Sequence, residues 1–81
     1  MPKVRRRNVP EPLLRHLLDR IQSRHIPADQ LQLLAEWLDR EPDVPSGKWH
    51  KRFPSMIVCG EGELVKTFLL PGQLPDGEEI G

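Results

Sequence analysis

Leu13, Leu14, Leu17, Leu18 and Ile21 recur at one-, three- and four-residue steps, with Arg15, His16, Asp19, Arg20, Gln22 and Ser23 between them. An apolar stripe at that spacing predicts an amphipathic helix over residues 10–24. Asn8 and Glu11 have the spacing of a capping box, in which the Asn side chain accepts from the N–H three residues on and Glu reaches back. Pro10 and Pro12 fit a first turn, whose N–H groups lack helical partners in any case. A second stripe, Leu31, Leu34, Trp37 and Leu38, is widened by Leu33 and Ala35. It predicts a helix opening near Pro27, with Asp29 close to its positive end, and closing about Arg40, ahead of Pro42. The short link "RHIP" makes the two helices antiparallel neighbours, an αα-hairpin with leucine against leucine.

After the loop "EPDVPSG" the period changes. Trp49, Lys51 and Phe53 alternate with Lys48, His50 and Arg52, which predicts a strand over 48–53. Met56 to Cys59 is a short apolar run, and Leu64, Lys66, Phe68 and Leu70 alternate with Val65, Thr67 and Leu69. These segments, 56–59 and 63–70, form a hairpin through Gly60-Glu61-Gly62, and 48–53 adds an edge strand that tolerates Pro54 and its own cations. The expected fold class is α+β, an N-terminal antiparallel helix hairpin packed on a small two- or three-stranded antiparallel sheet. Residues 1–7 are expected to be a flexible basic arm, 8–70 a single domain, and 71–81 a polar, loosely ordered C-terminal tail. Leu14, Leu17, Leu18, Ile21, Leu31, Leu34, Trp37, Leu38, Ile57, Val65 and Phe68 should form the core.

Length changes this picture in one way. At 81 residues a lone core is only marginally sufficient, so self-association or docking on a partner is a reasonable expectation. Charge changes it more. The formal net charge is zero, yet the signs are segregated. Lys3, Arg5, Arg6, Arg7, Arg15, Arg20 and Arg24 dominate the first 24 residues, while Asp29, Glu36, Asp39, Glu41 and Asp43 dominate the next block. Lys48, Lys51, Arg52 and Lys66 follow, and the tail holds only Asp76, Glu78 and Glu79. Such blocks argue against a uniformly basic coat and permit one basic face beside one acidic face.

Candidate chemistry centres on "KWHKRF". If Trp49 and Phe53 point into the core, Lys48, His50 and Arg52 form an outward basic row able to grip phosphates, and the arm residues Arg5, Arg6 and Arg7 add a second cationic cluster. The function expected from these six residues is that of a small non-enzymatic module contacting nucleic acid. The alternative is a protein-interaction or oligomerisation subunit, in which the acidic face of the second helix docks a basic partner or the arm of another copy. The order of two helices and then a meander resembles the layout of small bacterial toxin ribonucleases of the RelE type. That resemblance implies a metal-independent ribonuclease with His50, Lys51, Arg52 and Lys66 on adjacent strands, although the acidic tail departs from that family's basic C-terminal strand.

Other readings are weaker. His16, His25, His50 and Cys59 lack the paired spacing of a zinc site, so no metal is expected. Cys59 with His50 would supply a nucleophile and a base, but a lone cysteine after Met56-Ile57-Val58 reads as a small buried hydrophobe. "GEG" lacks the lysine and Ser/Thr of a phosphate loop, and no cofactor is expected. With no secretory apolar region, no membrane-length apolar run and one cysteine, the expected compartment is the cytoplasm.

Overall fold

The computed structural model describes residues 2–80. A single 3₁₀ turn, Arg6–Asn8, precedes α1 (Glu11–Gln22) and α2 (Asp29–Asp39). The strands β1 (Lys48–Phe53), β2 (Met56–Glu61), β3 (Leu64–Leu69) and β4 (Glu78–Glu79) complete an α+β fold. Met1 and Gly81, the outermost residues of the expected arm and tail, lie outside the described residues.

Both helices end through residues held in the left-handed region. Arg24 has φ 64°, and its N–H donates to Ile21 O while His25 N–H donates to Arg20 O. This is the bonding of a Schellman stop, with arginine at the position glycine usually fills. Ile26, just beyond it, is buried. Glu41 has φ 48° after α2, and Pro42 prevents the helix from continuing. The capping box expected at Asn8 and Glu11 is not formed, because Pro10 is the N-cap of α1. Asn8 caps a turn earlier instead. Its Oδ1 accepts from Arg5 N–H at 2.8 Å, and its own N–H donates to Arg5 O at 2.9 Å.

The sheet order is β3-β2-β1-β4. β1, β2 and β3 pair antiparallel as a meander, and β4 lies parallel to β1 with Trp49 beside Glu78 and His50 beside Glu79. The expected sheet of two or three antiparallel strands is therefore a four-stranded mixed one. The addition comes from the segment expected to be a loose tail. Two adjacent carboxylates in a polar, proline-broken stretch carry no strand signal, and the pairing is imposed by β1.

β2 is central, and its Met56, Ile57 and Val58 are all buried. Trp49 stands opposite Gly60, and the pairing forbids any larger residue there. A Cβ on Gly60 would come within 2.6 Å of Trp49 Cε2 and 2.8 Å of the Leu64 carbonyl oxygen. The Trp49 indole N–H donates to Gly62 O at 2.7 Å, so the ring is buried with its polar edge satisfied. Trp37 meets Trp49 and Phe53 edge to face, with centroids 5.8 and 6.0 Å away, which fastens α2 to β1. Gln30 performs the same task at the other end of α2. It is buried, and its Oε1 accepts from Ser55 N–H in the β1–β2 turn at 3.0 Å.

The basic arm is docked. Val4 is fully buried, its N–H donates to Pro42 O, and Val44 N–H donates to Pro2 O. The stretch around Lys3 thus lies as a short antiparallel bridge beside Asp43, in the segment expected to be a flexible basic arm. One valine among seven residues is a faint sequence signal, yet burying it contributes about 1.5–3 kcal/mol.

Candidate functional site

The structure divides the six residues singled out in the sequence, five cations and one histidine. Arg6 makes a two-point contact with Asp39, through Nε at 2.6 Å and one terminal nitrogen at 2.7 Å. Arg5 pairs with Glu41, and Lys3 with Asp43 at 2.8 Å. The arm therefore covers the C-terminal end of α2, where cations also complement the helix dipole. Among the described residues no ion pair includes Arg7 or Lys48.

The outward basic row is altered more deeply. His50 was expected on the solvent face, but it is only 6% exposed. Its Nδ1 lies 3.2 Å from the Asp76 carbonyl oxygen and its Nε2 lies 3.3 Å from Glu79. Arg52 Nε donates to the same Glu79 carboxylate at 2.6 Å. Ile80 N–H donates to His50 O at 2.8 Å, and Gly77, at φ 85°, passes so close to the Lys48 backbone that a side chain there would collide with it. Alternation placed His50 on the correct face of β1. It did not reveal that the C-terminal segment covers that face.

These contacts set the electrostatics. The Arg52 guanidinium, then the His50 ring, hold the Glu79 carboxyl below its ordinary value of 4.5. Lys3 lowers Asp43 in the same way, and the Asp39 carboxylate raises Arg6. His50 and Cys59 stand directly opposite each other on β1 and β2. The His50 ring nitrogens face the Asp76 carbonyl and Glu79, not the Cys59 sulfur, and burial, then nearby Asp76, push the Cys59 thiol up, away from the thiolate. His50, buried with its two ring nitrogens facing the Asp76 carbonyl and the Glu79 carboxylate, is not on the solvent face where the ribonuclease reading placed it. Among the described residues no three of His, Cys, Asp or Glu converge as a metal site requires. No helix there is long and apolar enough to cross a membrane.

Two surfaces emerge that the sequence did not single out. The first lies between the helices. Leu17 is fully buried, but Leu14 and Leu18 are 37% and 42% exposed. They form one wall of a groove of about 510 Å³, whose other wall is Leu31, Leu34, Ala35 and Leu38 of α2. The leucine stripe is wider than the sheet can cover, so only its Leu17 side enters the core. Leu14 and Leu18, expected in the core, are thus corrected to a surface position. The second surface is a groove of about 520 Å³ between the end of α2 and the β1–β2 turn, lined by Glu36, Arg40, Lys51, Arg52 and Phe53. The Lys51 ammonium sits 5.7 Å from the Trp37 ring centroid and 5.4 Å from that of Phe53.

The chain matches no known family model, no curated protein and no solved structure. What it does must therefore be argued from these two surfaces.

Proposed function

We propose that the chain is a small non-enzymatic interaction module that seats the apolar face of a protein helix in the groove between α1 and α2. The observation that carries this reading is the exposure of Leu14 and Leu18 on the wall of an apolar groove. Contiguous apolar surface of this kind is a feature of interaction sites, and a two-helix groove suits an amphipathic helix whose anchors recur every three or four residues. The cations that favoured nucleic acid in the sequence support the same ranking. Arg5, Arg6 and Arg52 are already opposed by Glu41, Asp39 and Glu79, which weakens the field a phosphate backbone would meet.

The test uses a synthetic leucine-faced amphipathic peptide added to the isotopically labelled full chain. Amide shifts are expected at Leu14, Leu18, Leu31 and Ala35, and L14S/L18S should abolish them while the sheet resonances stay in place. Shifts confined to the sheet, or none at saturating peptide, would remove the reading.

One observation favours nucleic acid as a second reading. Arg40, Lys51 and Arg52 line one groove with Phe53, Trp37 and Glu36, which sets cations for phosphates beside a ring for bases. With Arg7 and Lys48 they would bind single strands in a salt-sensitive way, and K51A/R52A should weaken binding about evenly across sequences. Binding that ignores salt would exclude it.

A further inference from the structure

The strand order gives β1 one neighbour that no tight turn delivers. β2 and β3 are joined by a short turn, whereas β4 is separated from β3 by residues 70–77 and lies beyond both β2 and β1. Turn geometry therefore does not set the register of β4. Contacts with β1 do, and three of them are specific. Gly77, at φ 85°, lies against the Lys48 backbone where any side chain would collide. The Glu79 carboxylate accepts from Arg52 Nε at 2.6 Å and lies 3.3 Å from His50 Nε2. Ile80 packs against the core, and its N–H donates to His50 O. Glu78, between Gly77 and Glu79, is exposed, and among the described residues no ion pair includes it. The β1 edge thus reads a glycine, a carboxylate two positions on and an aliphatic residue after that, and ignores the position in between.

From these contacts we infer that the β1 edge is a binding site for an extended peptide of the pattern glycine, any residue, glutamate, aliphatic residue, and that residues 77–80 occupy it as a ligand in cis. The site is separate from the α1–α2 groove and shares no lining residue with it. Two further observations make the occupant replaceable. Its hold is slight: β4 is two residues long and both are exposed. The Arg52 and Glu79 side chains are each more than half exposed, and such pairs hold weakly. Leu74, on the link to β3, is 92% exposed and anchors nothing. The edge is also longer than its occupant. β1 has six residues, and β4 pairs with Trp49 and His50 alone. A free peptide exchanges one carboxylate at Arg52 for an equivalent one, and it gains main-chain pairing beside Arg52 and Phe53 that β4 does not make. Lys48 and Arg52 on this strand favour an acidic peptide over a basic one. The tethered segment competes at an effective concentration on the order of millimolar, so whatever releases it strengthens binding of the free peptide.

Fluorescence anisotropy with the full chain and a capped, labelled peptide, Pro-Asp-Gly-Glu-Glu-Ile-Thr-Val, tests this. The probe copies residues 75–80 and adds two strand formers. E79Q frees the edge by removing the carboxylate, and G77V frees it by collision with Lys48. Each variant should bind the probe about threefold to tenfold more tightly than the unaltered chain. Glutamine at the second glutamate of the probe should weaken binding by a similar factor, and valine at its glycine by more than about tenfold, whereas glutamine at its first glutamate should change it by less than about twofold. R52E added to E79Q should abolish the preference for the second glutamate. Hydrogen exchange at the Ile80 amide reports release of the segment, with the helix amides as the measure of an intact fold. E79Q, at an exposed position, carries the test even where G77V fails to fold. Release of Ile80 without probe binding up to millimolar concentration overturns the site. So does equal weakening by the two glutamine probes, since that is attraction to net charge alone. Undiminished Ile80 protection in both variants makes β4 a fixed fourth strand and overturns the inference as well.

Discussion

The two ends of the molecule treat their side chains in opposite ways. On the β1–β4 side, Trp49, His50 and Arg52 find their partners within the chain. Glu79 meets Arg52 and His50, the Asp76 carbonyl meets the other His50 nitrogen, and Trp49 donates to Gly62. On the α1–α2 side Arg6 meets Asp39 and Arg15 meets Glu11, yet leucines stand in solvent beside a groove. The contrast is between polar groups that find partners within the chain and apolar surface that does not. A polar group that finds an internal partner gains little from a new one. Exposed apolar surface has no internal remedy once the sheet is covered.

The sharpest way to break this comparison lies within one helix. Leu17→Ala should cost about 2–5 kcal/mol, because the side chain is wholly enclosed and its loss leaves a cavity. Leu18→Ala, one residue later, should cost less than half of that in the monomer, in proportion to the smaller area it buries. Chemical denaturation followed by circular dichroism measures both. Equal losses would mean that the groove is closed in solution and that the leucines face a core.

The opposite side is probed with acid. The folded state holds Glu79 below 4.5, so its contribution is fully present above that value and is lost as pH falls through the lowered folded value. Asp43, also lowered below its ordinary 3.8, loosens the arm over a similar acid range. Hydrogen exchange at the Ile80 amide, which is bonded to His50 O, should lose protection on acidification. In Glu79→Gln that loss should already be present at neutral pH, with the helix amides unaffected. Protection of Ile80 unchanged in the variant would mean that β4 is held by its backbone and by Ile80 packing alone.

The smallest effect concerns the turn between the helices, which sets how far apart they stand. Arg24→Gly relieves a left-handed arginine and should stabilise the fold by a few tenths to about 1 kcal/mol, partly offset by the freer unfolded chain. A thermal melt reads it as a modest rise. A fall would show that the Arg24 side chain makes a contact worth more than the strain it carries.

The candidate site was less legible than the fold. The five cations and one histidine were named from local density of charge, and density does not say whether a carboxylate arrives from elsewhere in the chain. Arg6 and Asp39 are far apart in sequence, as are Arg52 and Glu79, yet the fold closes both pairs. The acidic block for which docking of a basic partner was the alternative reading meets the chain's own arm, at Asp39, Glu41 and Asp43. The groove leucines were visible from the start as part of a stripe. Nothing in a helical period says how much of its width a small sheet can cover.

By itself the sequence determined what local chemistry can determine. The 3.6-residue and two-residue periods set the two helices and three of the strands, because burying one face is a requirement each segment carries alone. Proline and glycine set where they stop. Only the tertiary structure decided that Val4 enters the core, that Glu78-Glu79 becomes a strand, that His50 turns from a surface base into a buried, bonded ring, and that Leu14 and Leu18 stay outside. Each of those outcomes depends on a surface contributed by a distant part of the chain. Burial and charge pairing are properties of two surfaces meeting, and a local pattern describes only one of them.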